Sequence, residues 1–497
     1  MNRPEGVRVR FAPSPTGYLH IGGLRTALYN YLYARQSGGS LILRIEDTDR
    51  TRFVDDAEKD ILSSMEWAGI MFDEGPHAAG KSGPYRQSER LGRYRAYADQ
   101  LVESGNAYIA FDTPAEIETM RRERACPENP NPRYGSDIRN NMSNSLSLPA
   151  SEVQQRLDRG EDYVVRLKAD PGRLIAFQDM VRGKVLVDSV NVDDQVLMKS
   201  DGFPTYHMAN VVDDHEMRIT HVIRGEEWLP STPKHVLLYE AFGWSVPKMA
   251  HLPLILSPTG GKLSKRSADR AGIPVSVRDY VKGGYEPEAL INFLALLGWN
   301  PGDDEEHFDM AGLVERFSID RIGQAGVQFD LAKLKWHNEY HLRRQSASVI
   351  ARSVRPLLSE ARLDVSDERL VDGVELMRER ISFASDLLVA RYLFEDPRSY
   401  DEKGLKKRWK EDSPDLVSAY ASAIESRTEV DATAYESILR AITEGREIGA
   451  GRLIHPARLA VSGVVAGPGL FELLEYLGKE TVVRRLRTAV RVLSLSK

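Results

Sequence analysis

Arg10-Phe11-Ala12-Pro13-Ser14-Pro15-Thr16-Gly17-Tyr18-Leu19-His20-Ile21-Gly22-Gly23 reads as the end of a short strand, a turn broken by two prolines, and the start of a helix. Leu24, Ala27, Leu28, Tyr31 and Leu32 follow at helical spacing. Glycines at a helix start let a ligand approach the backbone closely. The N–H groups there and the positive end of the helix dipole attract phosphate. A histidine in that position can donate a hydrogen bond to a phosphate oxygen. The stretch therefore has the chemistry of a nucleotide site. Alone it is weak, because His-x-Gly is common and Pro and Gly before a helix are usually punctuation.

A second element lies far downstream. Gly260-Gly261-Lys262-Leu263-Ser264-Lys265-Arg266 puts three cations and a serine on a stretch that its two glycines make a mobile loop. Such a loop can close on a polyphosphate and neutralise it as pyrophosphate leaves. A basic surface loop by itself is more often solvated. The two stretches together are far more specific than either.

Outward from the first stretch, strand and helix alternate to about residue 105. Val7–Phe11 and Leu41–Ile45 read as strands, with the helix Leu24–Ser37 between them. Helices follow over Val54–Trp67 and Arg90–Ser104. This βαβ grammar predicts a parallel sheet with a crevice at the strand ends. The texture changes over 106–200, which holds the Pro- and Asn-rich Ala125–Tyr134. Short strands are read there at Tyr163–Lys168, Ile175–Met180 and Lys184–Val190. Parallel-sheet grammar resumes over 201–258, with a helix at Val236–Phe242 and a strand within Lys248–Leu256. Region 259–340 holds the basic loop and an amphipathic helix, Glu286–Gly298. Over 341–497 strand signals fade. Leu342–Leu358, Leu370–Leu388, Pro414–Ser426, Ala432–Glu444, Phe471–Leu477 and Lys479–Leu493 read as helices. The expected fold is α/β: a Rossmann-like parallel-sheet catalytic domain (1–105 and 201–258) with an inserted α+β domain (106–200). The 259–340 region and an all-α C-terminal region follow.

The length of 497 residues predicts several domains, and 42% hydrophobic with 28% charged residues is the balance of a soluble globular protein. No apolar run is long enough for a membrane span. No signal or transit segment is read before Val7, and the single cysteine, Cys126, rules out an intramolecular disulfide. The expected compartment is the cytoplasm. The net charge of −6 does not announce a nucleic-acid binder, so any such binding would rest on local patches. Lys406-Lys407-Arg408-Trp409-Lys410 and Arg484-Arg485-Leu486-Arg487 are two such candidates, although a solvated helix face explains them equally well. No coiled-coil seam is visible, and a monomer is expected.

The pair formed by His20-Ile-Gly-Gly23 and Lys262-Leu-Ser-Lys-Arg266 resembles the HIGH and KMSKS signatures of class I aminoacyl-tRNA synthetases. Phe11-Ala-Pro-Ser-Pro-Thr-Gly17 and Leu43-Arg-Ile-Glu-Asp-Thr-Asp49 are similar to the bacterial-type glutamyl-tRNA synthetase family. So are Gly202-Phe-Pro-Thr-Tyr-His-Met-Ala-Asn-Val-Val-Asp-Asp-His215 and Val222-Ile-Arg-Gly-Glu-Glu-Trp228. The resemblance covers essentially the whole chain and is strongest to about residue 340. It implies that glutamate attacks the α-phosphate of ATP to give an acyl adenylate and pyrophosphate. The 3′-terminal adenosine of tRNA(Glu) then takes the acyl group. It further implies that 106–200 grips the acceptor end of tRNA, that 259–340 contacts the stem, and that 341–497 reads the anticodon. Whether tRNA(Gln) is also charged stays open.

Neither step needs a protein nucleophile, so positioning and electrostatics supply the rate. By resemblance, His20, Lys262 and Lys265 contact the transition state. Thr16, Gly22 and Trp228 join them around ATP, with which Mg²⁺ would travel. Arg10 and Arg224 would face the substrate carboxylates, a task suited to guanidinium. Glu46 would hold the ammonium, and Ala12, Ser14, Tyr206 and Asn210 complete the pocket. Taken singly, Arg10 and Arg224 read as well as structural ion pairs, and Tyr206 as a core aromatic. Position 23 is Gly where the four-letter signature ends in His, so no second histidine contact is assumed.

Asp213-Asp214-His215 is read as a loop with too few ligands for a defined metal site. Some family members hold zinc through cysteines in the inserted domain. Here Ile109-Ala-Phe-Asp112 and Tyr134-Gly-Ser-Asp-Ile-Arg139 stand in their place, and no zinc is expected. The rival readings are a glutaminyl-tRNA synthetase, a shortened paralogue, a small nucleotidylyltransferase, and a catalytically inactive tRNA-binding relative. The all-α C-terminus argues against the first, chain length against the next two, and the intact His20, Lys262, Lys265, Arg10 and Arg224 against the last.

Overall fold

β1 (Arg8–Phe11) runs through the turn at Pro13–Thr16 into α1 (Ile21–Gln36), and α1 returns the chain to β2 (Ser40–Leu43). β2 lies parallel to β1 in register, Arg8 opposite Ser40 and Phe11 opposite Leu43. Val9, Leu41 and Ile42 are fully buried, as befits a parallel sheet covered on both faces. Gly38, at φ +59°, makes the left-handed turn that ends α1. The computed structural model describes residues 6–494; the side chains of Lys265 and Ser494 lie outside the described residues. Two units are distinguished, one holding residues up to 283 with 290–331, the other 284–289 with 332 onward.

In the first unit, α2 (Ala57–Trp67) and α3 (Leu91–Glu103) follow β2. A three-stranded antiparallel sheet comes next: β3 (Ala107–Ala110), β4 (Val164–Leu167) and β7 (Val196–Met198), in the order β3-β4-β7. The excursion between β3 and β4 carries α4 (Pro114–Arg124), opened by a capping box of Thr113 and Glu116, and α5 (Ala150–Asp158). β5 (Leu174–Asp179) and β6 (Gly183–Asp188) form a hairpin. α6 (Tyr206–Glu216), β8 (His221–Gly225), α7 (Thr232–Ala241) and β9 (Lys248–Leu252) complete a second βαβ passage. β8 and β9 are parallel, and Thr220 donates its N–H to Arg8 O, bringing β8 beside β1.

The hairpin differs from expectation. β5 joins β9 through Asp179 opposite Met249, so 174–188 extends the β8–β9 sheet. Its inward residues Ile175 and Phe177 pack with Val236 of α7, which explains why it docks there. β10 (Ile255–Leu256) and α8 (Lys265–Ala271) frame the basic stretch, followed by α9 (Val277–Lys282), α10 (Pro287–Leu296), α11 (Met310–Arg316) and β11 (Val327–Gln328).

The second unit is helical. Its elements are α12 (Leu331–Arg344), α13 (Ala347–Glu360), α14 (Asp367–Met377), α15 (Glu402–Arg408), α16 (Ser413–Glu425), α17 (Ala432–Gly445), α18 (Gly451–Ser462), α19 (Leu470–Leu477) and α20 (Lys479–Ser494). Ile350, Val354, Leu370, Val417, Leu453, Leu474 and Leu486 share one core. The expected Leu342–Leu358 helix is broken, because Ser346 is extended and starts α13 anew. Leu370–Leu388 is α14 followed by 3₁₀ turns. α18 went unread because Pro456 sits inside it. Of the second basic cluster, Arg485 is a structural residue: it is buried and donates to the carbonyls of Tyr392, Val461 and Glu395.

Candidate active site

A cavity of about 580 Å³ opens at the C-terminal ends of β1 and β8, where an open α/β sheet places its ligands. Arg10 comes from β1, Ala12, Ser14 and Thr16 from the turn, and His20 and Gly22 from the start of α1. Glu46 follows β2, Tyr206 and Asn210 lie on α6, Arg224 ends β8, and Trp228 follows it. Two elements some 200 residues apart in sequence thus meet because β1 and β8 are neighbours.

His20 is the N-cap of α1. Its Nδ1 accepts the Gly22 N–H at 2.9 Å. Nδ1 is therefore unprotonated, and the proton of the neutral ring sits on Nε2. A Cβ at position 22 would stand 3.2 Å from that Nδ1 and crowd the cap, and one at position 23 would stand 3.0 Å from Leu19. Glycines at both positions keep the helix start tight.

The charges below the pocket form a buried lattice. Asp214 accepts from Arg10 Nε at 3.0 Å and from Arg44 Nη1 at 2.7 Å. Arg44 Nη2 also holds Glu46 at 3.0 Å, and Asn210 approaches the same Glu46 oxygen at 3.3 Å. Asp213 accepts from Arg90, Tyr94 and Gln87. Burial pushes the Glu46 carboxyl up, partly offset by Arg44 and Arg10. Burial would raise Asp214 as well, but Arg10 and Arg44 outweigh it and hold that carboxyl below its ordinary value. Arg10 is thus ion-paired, as its structural reading had it, and it also lines the cavity.

Asp213, Asp214 and His215 do not form a loop. They lie on α6, with both acids facing inward and His215 stacked on Trp244 at 3.7 Å. Asp213 and Asp214, which support the pocket from below, are residues that sequence reasoning missed. For Asp214 the signal was spacing: Tyr206, Asn210 and Asp214 recur every four residues and share one helix face.

Arg224 is 5% exposed, and its partners are neutral. Nε donates to His251 Nε2 at 3.0 Å, Nη1 to the Tyr206 hydroxyl at 2.8 Å, and Nη2 to Thr232 Oγ1 at 2.8 Å. Among the described residues no carboxylate pairs with it. The Tyr206 ring in turn lies 4.4 Å from the half-exposed ring of Trp228.

Lys262 lines a smaller adjoining cavity of about 240 Å³ together with His20 and Gly22. Its Nζ is 3.1 Å from Glu227 Oε1. The basic stretch is less of a loop than expected. Gly260 and Gly261, at φ +89° and +73°, make a tight turn closed by Ser257 N–H to Gly261 O. Ser264 then caps α8, so Lys265 and Arg266 open a helix. The Lys265 side chain lies outside the described residues. Among the described residues no trio of His, Cys, Asp or Glu close enough to hold a metal lies at either cavity.

This geometry agrees with what sequence and structural similarity give. Residues 6–336 match the family described as tRNA synthetases class I (E and Q), catalytic domain, and 349–490 match an anticodon binding domain. The "Glutamate--tRNA ligase" of Chlorobaculum parvum is 46% identical, with 99% of each chain covered. That of Porphyromonas gingivalis is 48% identical, with 98% of each covered. The crystal structure of a glutamate tRNA ligase from Elizabethkingia meningosepticum, in complex with its amino acid, superposes with a TM-score of 0.93 at 43% identity. It covers 98% of this chain and 100% of that one. The fold and site define a class I tRNA synthetase. Within that class, the chain belongs to the glutamate–tRNA ligase family.

Proposed function

We infer that this chain activates L-glutamate with ATP and transfers it to tRNA(Glu), as a glutamate–tRNA ligase. One observation carries the pocket assignment: Arg224 is a buried cation at the cavity wall with neutral partners only. A buried charge is costly unless paired, so the site is built to receive a carboxylate. Arg10, already balanced by Asp214, lends a second guanidinium, and Glu46 takes the ammonium. Ala12, Ser14, Tyr206 and Asn210 shape the rest. A site that pairs charge in this way rejects an uncharged isostere strongly, without editing.

The substrate carboxylate attacks the α-phosphate, and pyrophosphate leaves toward the lysines. His20 Nε2–H donates to a phosphate oxygen where negative charge grows, beside the amides at the start of α1. Lys262 and Lys265 neutralise the leaving group. Thr16, Gly22 and Trp228 border the nucleotide. Mg²⁺ would travel with ATP, supplying charge neutralisation at its phosphates. The 3′-terminal adenosine then takes the acyl group without a covalent enzyme intermediate.

The domain reading is proposed alongside. The 106–200 segment grips the tRNA acceptor end, with hairpin 174–188 tied to the catalytic sheet; 259–340 meets the stem and 341–497 the anticodon. No zinc holds the inserted domain. In its place Tyr134 donates to Asp112 at 2.8 Å, Asn144 bonds the Tyr134 oxygen at 3.1 Å, and Ser143 N–H bonds Asp112 at 2.7 Å. The enzyme acts as a cytoplasmic monomer. The decisive experiment is glutamate charging by the purified protein, with tRNA(Glu) and tRNA(Gln) assayed separately. Charging of tRNA(Glu) alone defines a discriminating enzyme, and charging of both a non-discriminating one. Charging of neither refutes the reading.

A further inference from the structure

Behind Arg224 lies a buried proton-ordered chain that the reaction does not touch. Arg224 Nε always carries a hydrogen and can only donate. Its partner, His251 Nε2 at 3.0 Å, must therefore accept and be unprotonated. The proton of the neutral ring then lies on Nδ1, which faces Asp179 Oδ2 at 2.6 Å. His251 and Asp179 are both buried, at 0% and 1% exposure. Burial pushes the His251 imidazole below its ordinary value, although Asp179 opposes it, so the ring stays neutral. The second oxygen of Asp179 is committed too. Oδ1 accepts the N–H groups of Val181 and Arg182, both at 2.9 Å, and that of His251 at 3.3 Å.

We propose that Asp179 and His251 are positioning residues for the glutamate site: they fix the His251 tautomer that holds Arg224 facing the substrate carboxylate, and so set the preference for glutamate over glutamine. This rests on the assignment of Arg224 to the substrate carboxylate. Asp179 ends β5 and His251 lies in β9, so the chain exists only because the hairpin docks on that sheet. The same logic continues on the other side of the guanidinium. His235 Nδ1, 3.4 Å from Arg224 Nη1, faces a donor, and its Nε2 meets His207 Nδ1 at 3.2 Å. Neutral imidazoles on both sides keep Arg224 as the cation that a carboxylate meets.

Asp179→Asn reverses the chain with almost no change in shape. The three backbone N–H groups on Oδ1 force the amide oxygen to stay with them, so the amide nitrogen must face His251 Nδ1. That drives the histidine proton to Nε2, against the Arg224 Nε–H. The mechanism is the wrong-tautomer effect known for a histidine whose orienting carboxylate becomes an amide. A misdirected buried donor of this kind weakens binding by roughly ten- to a hundredfold. The expected result is a rise of that size in KM for glutamate and a fall in glutamate-over-glutamine selectivity, with KM for ATP and for tRNA(Glu) unchanged. His251→Gln, whose amide can donate to Asp179 and accept from Arg224, should lose much less than His251→Leu. This comparison decides the matter should Asp179→Asn fold poorly. In the wild-type protein, the ¹⁵N shifts of His251 should show protonated Nδ1 and bare Nε2. Arg224→Gln is the reference. If it leaves KM for glutamate and selectivity unchanged, the pocket assignment itself fails. If Arg224→Gln cripples both while Asp179→Asn and His251→Leu change neither, or if ATP binding falls equally, the positioning role is refuted.

Discussion

Replacing His20 separates the job that the structure shows for its side chain from the one proposed for it. Its Nδ1 caps α1 through the Gly22 N–H at 2.9 Å, and its Nε2 carries the proton assigned to the transition state. Asparagine is a strong N-cap whose side-chain oxygen can accept the same N–H, yet it offers nothing at the Nε2 position. Alanine removes both functions. Loss of the cap costs about 1 kcal/mol of local stability. Loss of one donor to developing charge costs a hundredfold to a thousandfold in rate, about 2.7–4 kcal/mol. His20→Asn should therefore cut glutamate-dependent ATP–pyrophosphate exchange by roughly two to three orders of magnitude, with tRNA(Glu) and Mg²⁺ present throughout. Hydrogen exchange at the Gly22 amide should stay near wild type in His20→Asn and quicken about fivefold in His20→Ala. Exchange activity in His20→Asn above about a tenth of wild type would refute a transition-state contact by Nε2. Equal protection of Gly22 in both variants would refute the cap.

Three further outcomes are expected. Lys262→Ala should lower the activation rate by roughly a hundredfold while changing stability by less than about 1 kcal/mol, because the Lys262–Glu227 pair is half-exposed; rate assays and urea unfolding of the same preparations check this. Asp214→Ala should cost about 3–5 kcal/mol in urea unfolding, since it strands the buried Arg10 without its anion and leaves Arg44 only Glu46 and the more distant Asp213, and glutamate binding should weaken with it. Two groups, the partly buried His207 and the buried Asp194, should give opposite pH dependences. Burial and the nearby Lys234 push His207 down to about 4, so its contribution is full above the unfolded value and is lost as pH falls from about 6.5 to 4, at most about 3 kcal/mol. Burial pushes the Asp194 carboxyl up to about 6, so its contribution is present at low pH and is lost as pH rises from about 4 to 6. NMR titration of the His207 ring and the Asp194 carboxyl should show midpoints near those values, and midpoints near 6.5 and 4 would overturn the burial argument.

The sequence carried the elements whose pattern is local. Arg10–Gly23 spells out its own strand, turn and helix start, and the structure differs only in starting α1 three residues earlier, at Ile21. The amphipathic helices α16, α17, α19 and α20 were legible for the same reason: each buries one face in the common core. Reading failed where local grammar misleads. Pro456 disguised α18, and the extended Ser346 split a periodic run that looked continuous. It failed again where a strand's place depends on a distant partner. β5 and β6 were recognised as strands, but their attachment to β9 is a tertiary fact.

The same division runs through the site and explains which residues a sequence can reveal. Every residue expected around the substrates, apart from the two lysines, lines one cavity. Those residues sit in short runs at strand ends and helix starts, where function is concentrated in few positions. The residues that make the pocket's charge tolerable do not. Arg10 needs Asp214, 204 positions away, and Arg224 depends on His251 and, through it, on Asp179. Arg10, Arg44, Arg90 and Arg224 are matched in number by Glu46, Asp213, Asp214 and Glu216, yet the acids all gather on the Arg10 side. Arg224 is left with imidazoles, hydroxyls and a carbonyl. That asymmetry fits the dicarboxylate site proposed for this pocket. If acids had balanced Arg224 as they balance Arg10, the substrate carboxylate would have to compete with them. With neutral acceptors instead, the guanidinium is held in place while its charge stays available. On that proposal, the specificity of the pocket rests as much on the lack of a carboxylate paired with Arg224 among the described residues as on which residues line it.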